Sequence, residues 1–181
     1  MTLKNIILVC SLAALCGCSS GYSGLRRGKD FYQDLSALRE SNTEGRDYSR
    51  EFYSRRSPVT VFAIHGGDIE YGTARLARRV AGDDFNLYIF NGWLGPDSGR
   101  LHVTATHFAD PLAVRLATSS VLGVSIHAQS DRGSHVCVGG KNQGAARLAA
   151  MRLEAAGFSA EAPCARLPGT SAKNIVNLPS T

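Results

Sequence analysis

After the N-terminal stretch, the sequence has no apolar run long enough to cross a bilayer as a helix, and it contains no internal repeat. Aromatic residues make up only 8% of it, with a single tryptophan. Charge of one sign is nowhere concentrated. From Ser19 to Ser57 eight Lys/Arg stand against six Asp/Glu, and from Pro58 to Thr181 eleven stand against nine. The formal charge of +5 is therefore spread out. Without a basic stripe interleaved with aromatics, a nucleic-acid partner has no support. What is present is an ordinary balance, 44% hydrophobic and 19% charged over 181 residues, enough for the core of one domain.

The opening residues, MTLKNIILVCSLAALCGC, read as a targeting segment: Lys4 precedes an apolar stretch from Ile6 to Leu15. The ending Leu15-Cys16-Gly17-Cys18 resembles a bacterial lipobox. This implies a signal peptide over residues 1–17 and a lipid on Cys18, with an ordinary secretory signal cut nearby as the alternative. The expected location is the cell envelope, anchored through lipid, in the outer membrane if the cell has one. Cys137 and Cys164 then remain as an even pair in an oxidising compartment. A disulfide between them, a buried thiol at Cys137 and a thiol metal site are the competing readings.

Residues 18–57 are polar and read as a tether, with one short helix possible over DFYQDLSALRES, where Phe31, Leu35 and Leu38 recur at helical spacing. The ordered domain is expected from Pro58. VTVFAI (59–64), NLYIFN (86–91) and VLGVSIHA (121–128) read as buried strands, and LHVTAT (101–106) alternates like one. HVCVGG (135–140) is a further pairing candidate. Helices are expected over TARLARRV (73–80), with Thr73 as N-cap and Gly82 just beyond its end, over PLAVRLATSS (111–120) and over NQGAARLAAMRLEAAGF (142–158). The alternation predicts a single-domain α/β fold with a mixed, mostly parallel central sheet flanked by helices.

In such sheets, ligands gather beyond the carboxyl ends of the strands. His65 follows VTVFAI within Ile64-His65-Gly66-Gly67-Asp68-Ile69-Glu70, and His127 follows VLGVSI. Two glycines let the backbone reverse and return Glu70 beside His65. Two imidazoles and a carboxylate suit Zn2+ with a fourth position open to water. The competing readings are a plain turn, a helix-start carboxylate at Glu70 and a core histidine at His127. His102 could line a polar site or be structural; His107 and His135 carry weaker cases. Arg100 and Arg132 could hold a carboxylate or be solvated.

The blocks IHGGDIEYGTARLARRVAG, DDFNLYIFNGW, LHVTATHFADP, VSIHA, VCVGG and NIVN, in that order, resemble the poly-γ-glutamate hydrolase family over roughly residues 58–177. These are secreted or phage-borne zinc peptidases with a fold similar to carboxypeptidase A. The resemblance implies that His65, Glu70 and His127 hold zinc in a domain over 58–181, and that the bond cleaved is a γ-glutamyl amide. Poly-γ-glutamate or a related envelope peptide is the implied substrate, and a monomer is expected. The family pattern places a glutamate, likened to the carboxypeptidase general base, on a strand after the N-I-V-N block. The residues given end at Thr181 without that strand. Asp68, Asp110 and Glu161 are the remaining candidates for a proton acceptor. The rival reading is a non-catalytic envelope lipoprotein that binds zinc or polymer, and a third is hydrolysis of a different small amide.

Overall fold

The computed structural model describes residues 30–129 and 133–178. The expected signal peptide, Cys18 and Arg132 lie outside the described residues. The chain runs α1 (Leu35–Ser41), β1 (Tyr48–Tyr53), β2 (Val59–Gly67), α2 (Thr73–Ala81), β3 (Asn86–Gly92), a 3-10 helix (Gly95–Leu101), α3 (Pro111–Thr118), β4 (Leu122–Ser125), β5 (His135–Cys137), α4 (Gln143–Ala155), β6 (Ser159–Glu161) and a 3-10 turn (Ile175–Asn177). Four strands form one sheet in the order β1-β3-β2-β4. β3, β2 and β4 are parallel, and β1 is antiparallel to β3. The fold is thus mixed α/β with a mostly parallel sheet, as the alternation predicts. Among the described residues no helix is long and apolar enough to cross a membrane.

Strand alternation divides the core. Phe62, Ile64, Tyr88 and Phe90 point to one face, where Leu35 and Leu38 of α1 and Leu116 of α3 cover them. Val61, Ala63, Leu87 and Ile89 point to the other, against the small side chains Ala74, Ala77 and Ala81 of α2. Alanine at these positions lets the α2 backbone approach the sheet closely.

Four sequence expectations need correction. The tether does not extend to residue 57. Leu35, Leu38 and Tyr48 are buried in the core, and β1 pairs with β3 along its whole length, from Tyr48↔Gly92 to Tyr53↔Leu87. The half-polar pattern YSREFY is that of an edge strand with one face to solvent, which reads like a linker. LHVTAT is not a strand: Leu101 closes a 3-10 helix, and a turn follows in which His107 N–H donates to Thr104 O at 2.7 Å. Its period-two pattern arises because Leu101 and Val103 both reach the core from irregular backbone. VLGVSIHA is not buried; β4 is four residues long and half-exposed, at the sheet edge. The N-cap of α2 is Gly72, at φ 90°, and not Thr73.

The segment β5–α4–β6 forms a separate two-stranded parallel sheet with its crossover helix. Cys137 and Cys164 are joined there as a disulfide, with Cα atoms 4.9 Å apart.

Candidate metal centre

The two parallel neighbours β2 and β4 end on the same side of the sheet, and this places His65 and His127 together. Near its end β2 carries one extra residue: Ala63 pairs with Ile89, but Gly66 pairs with Asn91. A bulge of this kind re-aims side chains. Both glycines are demanded by the geometry. A Cβ on Gly66 would lie 2.7 Å from Asn91 Oδ1 and 2.9 Å from Phe90 O. At Gly67 the backbone is left-handed, φ +65°, and a Cβ would lie 2.4 Å from Gly92 O. The chain then reverses: Glu70 N–H donates to His65 O at 2.9 Å, and the Thr73 hydroxyl donates to Glu70 O at 2.8 Å and His65 O at 3.1 Å. The HGGDIE segment is therefore a closed loop whose two ends are its own functional side chains.

His65 Nδ1 lies 2.9 Å from Glu70 Oε1 and 3.1 Å from His127 Nδ1, and His127 Nδ1 lies 3.3 Å from Glu70 Oε2. The outer atoms are also held. His65 Nε2 donates to Val103 O at 2.8 Å, Ala128 N–H donates to Glu70 Oε2 at 2.9 Å, and His127 Nε2 meets Ser125 Oγ at 3.0 Å. His65 and Glu70 are buried, while His127 is exposed on the open side. Burial alone would raise the Glu70 carboxyl, but hydrogen bonds and positive charge from His127 and His65 outweigh it and hold it well below the usual carboxylate range.

Two imidazole nitrogens and a buried carboxylate facing one another require positive charge between them, either a proton or a cation. Ligand atoms around a tetrahedral ion bonded at about 2.0–2.1 Å stand roughly 3.3 Å apart. The observed separations of 2.9–3.3 Å, which reach Oε1 of Glu70 from His65 and Oε2 from His127, are of that size. Outer partners on both imidazoles and the carboxylate are the usual supports of a metal ligand set.

His102 stacks on His65 with ring centroids 4.0 Å apart and brings Nε2 to 3.9 Å from Glu70 Oε1. Its Nδ1 is held by Asp30 Oδ1 at 2.7 Å, and Asp30 Oδ2 accepts from Thr104 N–H at 2.6 Å. Burial and the neighbouring His65 lower the His102 pKa, against the opposing pull of Asp30 and Glu70.

The other sequence candidates fall elsewhere. Asp110 is fully buried, where it caps α3 through Leu112 and Ala113 N–H and pairs with Arg50 at 2.8 Å. Glu161 lies in β6, beside the disulfide. Asp68 sits in the loop between His65 and Glu70 and makes none of the site's hydrogen bonds. Arg100 lies over the Phe31 ring, 4.4 Å from its centroid. Asp30 was not visible in the sequence as a site residue. It precedes a weak helix pattern in a polar stretch, and its partner His102 is 72 positions away.

A mixed α/β sheet that converges two histidines and a glutamate at its strand ends defines a candidate metallohydrolase. The chain belongs to the poly-γ-glutamate hydrolase family, whose sequence profile matches residues 32–181. It is 36% identical over 177 residues to the SPbeta prophage-derived UPF0714 protein YoqZ of Bacillus subtilis (strain 168). It is 33% identical over 155 residues to the UPF0714 protein YndL of the same organism. The matched parts are 97% and 84% of this chain but only 62% and 61% of those relatives. Among solved structures, a bacteriophage poly-γ-glutamate hydrolase superposes with a TM-score of 0.79 at 35% identity, over 83% of this chain and 73% of that one. A zinc-free form of YndL gives 0.79 at 32% identity, over 84% and 76%.

Proposed function

We propose that the protein is a zinc-dependent hydrolase of γ-glutamyl amide bonds. The observation that carries this reading is the convergence of His65 Nδ1, His127 Nδ1 and the Glu70 carboxylate within 2.9–3.3 Å of one another. A zinc ion held by these three would supply an acidified water and polarise the scissile carbonyl.

The chain's own groups have separate parts in this scheme. Val103 O and Ala128 N–H hold His65 and Glu70 in orientation. Exposed His127 marks the side from which substrate enters. A proton must be taken from water and delivered to the leaving amine. Within the described residues, His102 is the group beside the ligand set that has a free ring nitrogen turned toward it. The Asp30 carboxylate holds the other nitrogen and so fixes the tautomer. The lipobox and the disulfide together support work outside the cytoplasm, with Cys18 as the lipid attachment point.

The test follows the size distribution of poly-γ-glutamate with zinc-supplied protein, with and without a chelator. Shortening that stops on chelation, and is absent in His65→Ala, is the expected result. An unchanged polymer with folded, zinc-loaded protein would overturn the reading in favour of a binding protein.

A further inference from the structure

A cleft of about 530 Å³ opens beside His127, lined by Tyr71, Arg75, Leu76, Arg79, Ile126 and Ala128 among others. Among the described residues, no acidic side chain lines it. Arg75 and Arg79 stand four residues apart on α2 and therefore project from one face, one helical turn apart. Both are exposed, and neither forms an ion pair among the described residues. The third α2 arginine in this run behaves differently. Arg78 is turned away from the cleft and donates through Nε to Glu51 Oε2 at 2.9 Å. The helix thus neutralises the arginine that faces β1 and leaves along the cleft that leads from the metal centre two guanidinium groups with no counter-charge among the described residues.

We infer that Arg75 and Arg79 form a track for the carboxylates of an acidic polymer, running along α2 away from His127. The inference rests on the hydrolase reading for the identity of that polymer. A γ-linked glutamate chain carries one free α-carboxylate per repeat. Successive carboxylates therefore recur at a spacing of the same order as one helical turn, about 5.4 Å. Guanidinium groups suit this task because each presents a planar fork to a carboxylate. The apolar contributions of Leu76, Ile126 and Tyr71 match the methylene segments between the charges. Occupation of this track sets a γ-amide of the same chain against exposed His127, with the bound carboxylates holding the register.

The test uses fluorescently labelled poly-γ-glutamate. Fluorescence anisotropy measures its binding to protein stripped of zinc by chelation, since a relative keeps this fold in a zinc-free state. Circular dichroism checks that each variant is folded. Arg75→Ala/Arg79→Ala is expected to bind roughly tenfold more weakly or worse, with a smaller dependence on salt. Arg75→Lys/Arg79→Lys should recover part of the affinity, and Arg152→Ala, on α4, should bind as the unaltered protein does. In the zinc-loaded protein the loss should appear in KM for the polymer more than in kcat. Equal binding by the folded double alanine variant, or no binding by the unaltered protein, overturns the track. Failure of the hydrolase reading looks different: polymer that binds through these arginines and is never shortened.

Discussion

His65 gives its Nε2 hydrogen to the carbonyl oxygen of Val103 at 2.8 Å. A carbonyl can only accept, so this bond assigns the ring: Nε2 is the donor, and Nδ1 is left to face Glu70 and His127. The irregular segment after the 3-10 helix thereby sets the chemistry of a side chain on β2. Sheet topology brings the two histidines together, and one backbone oxygen decides which atom of His65 is presented.

His65→Ala and Glu70→Ala each remove one of three converging donors, and both should lose at least about a hundredfold in zinc affinity, beyond the usual cost of losing an outer partner. Zinc content by atomic absorption after dialysis checks this. Stoichiometric zinc retained in His65→Ala would mean that the ion is held elsewhere.

His102 should separate from the ligand set in the same assay. Its Nε2 is 3.9 Å from Glu70 Oε1 and lies outside the group of mutually close donors. His102→Ala is expected to keep its zinc and to lose roughly a hundredfold in kcat on poly-γ-glutamate, the usual scale for removing a proton-transfer group. Asp30→Ala should give a smaller loss in the same direction, because it releases the tautomer without removing the ring. If His102→Ala turns over polymer at the original rate, the proton acceptor is another group.

How much of this could be read from the sequence follows from the range of each interaction. The bonds that return Glu70 to His65 and tie Thr73 to both span at most eight positions, so spacing and residue type suffice to bring Glu70 back to His65. His127 requires one more step, that its strand lies beside β2, and the parallel α/β pattern supplies it. Asp30 and Val103 could not be read this way. Asp30 acts across 72 positions from a segment whose polarity resembles a linker, and Val103 acts through its backbone, which no residue type signals. The same polarity hides β1, an edge strand whose charged residues find partners only in the folded chain. Asp110 illustrates the converse error. As a carboxylate it was a candidate for chemistry, but its position before Pro111 makes it a helix cap.

Gly67 offers a test of loop closure. Its φ of +65° strains any side chain, and a Cβ would stand 2.4 Å from Gly92 O, a backbone atom of β3 that cannot rotate aside. Gly67→Ala should destabilise the fold by about 1–3 kcal/mol and disturb the His65–Glu70 pair at the same time. Urea denaturation should show a lowered midpoint, and zinc content should fall in parallel. A fully stable, zinc-binding Gly67→Ala would show that the loop closes without this approach of β2 to β3.

Arg50 ties the edge strand to the rest of the molecule. Nη1 donates to Asp110 Oδ2 at 2.8 Å, while Nε and Nη2 take both oxygens of Glu44 at 2.8 and 2.7 Å. Asp110 is fully buried, so Arg50→Ala leaves a carboxylate in the interior without its counter-charge. The expected cost is about 3–5 kcal/mol, read from the urea midpoint at neutral pH. The Glu44 contribution has a defined pH dependence. The hydrogen bond from Arg50 is the main force lowering the Glu44 pKa below its ordinary 4.5. A carboxyl lowered by folding adds stability that is fully present above the unfolded value and is lost as pH falls through the folded one. Stability should therefore begin to decline below about pH 4.5, and this part of the decline should be missing in Arg50→Ala. A parallel decline in both proteins across that range would mean that Glu44 gains nothing from Arg50, leaving Asp110 as the guanidinium's only energetic partner.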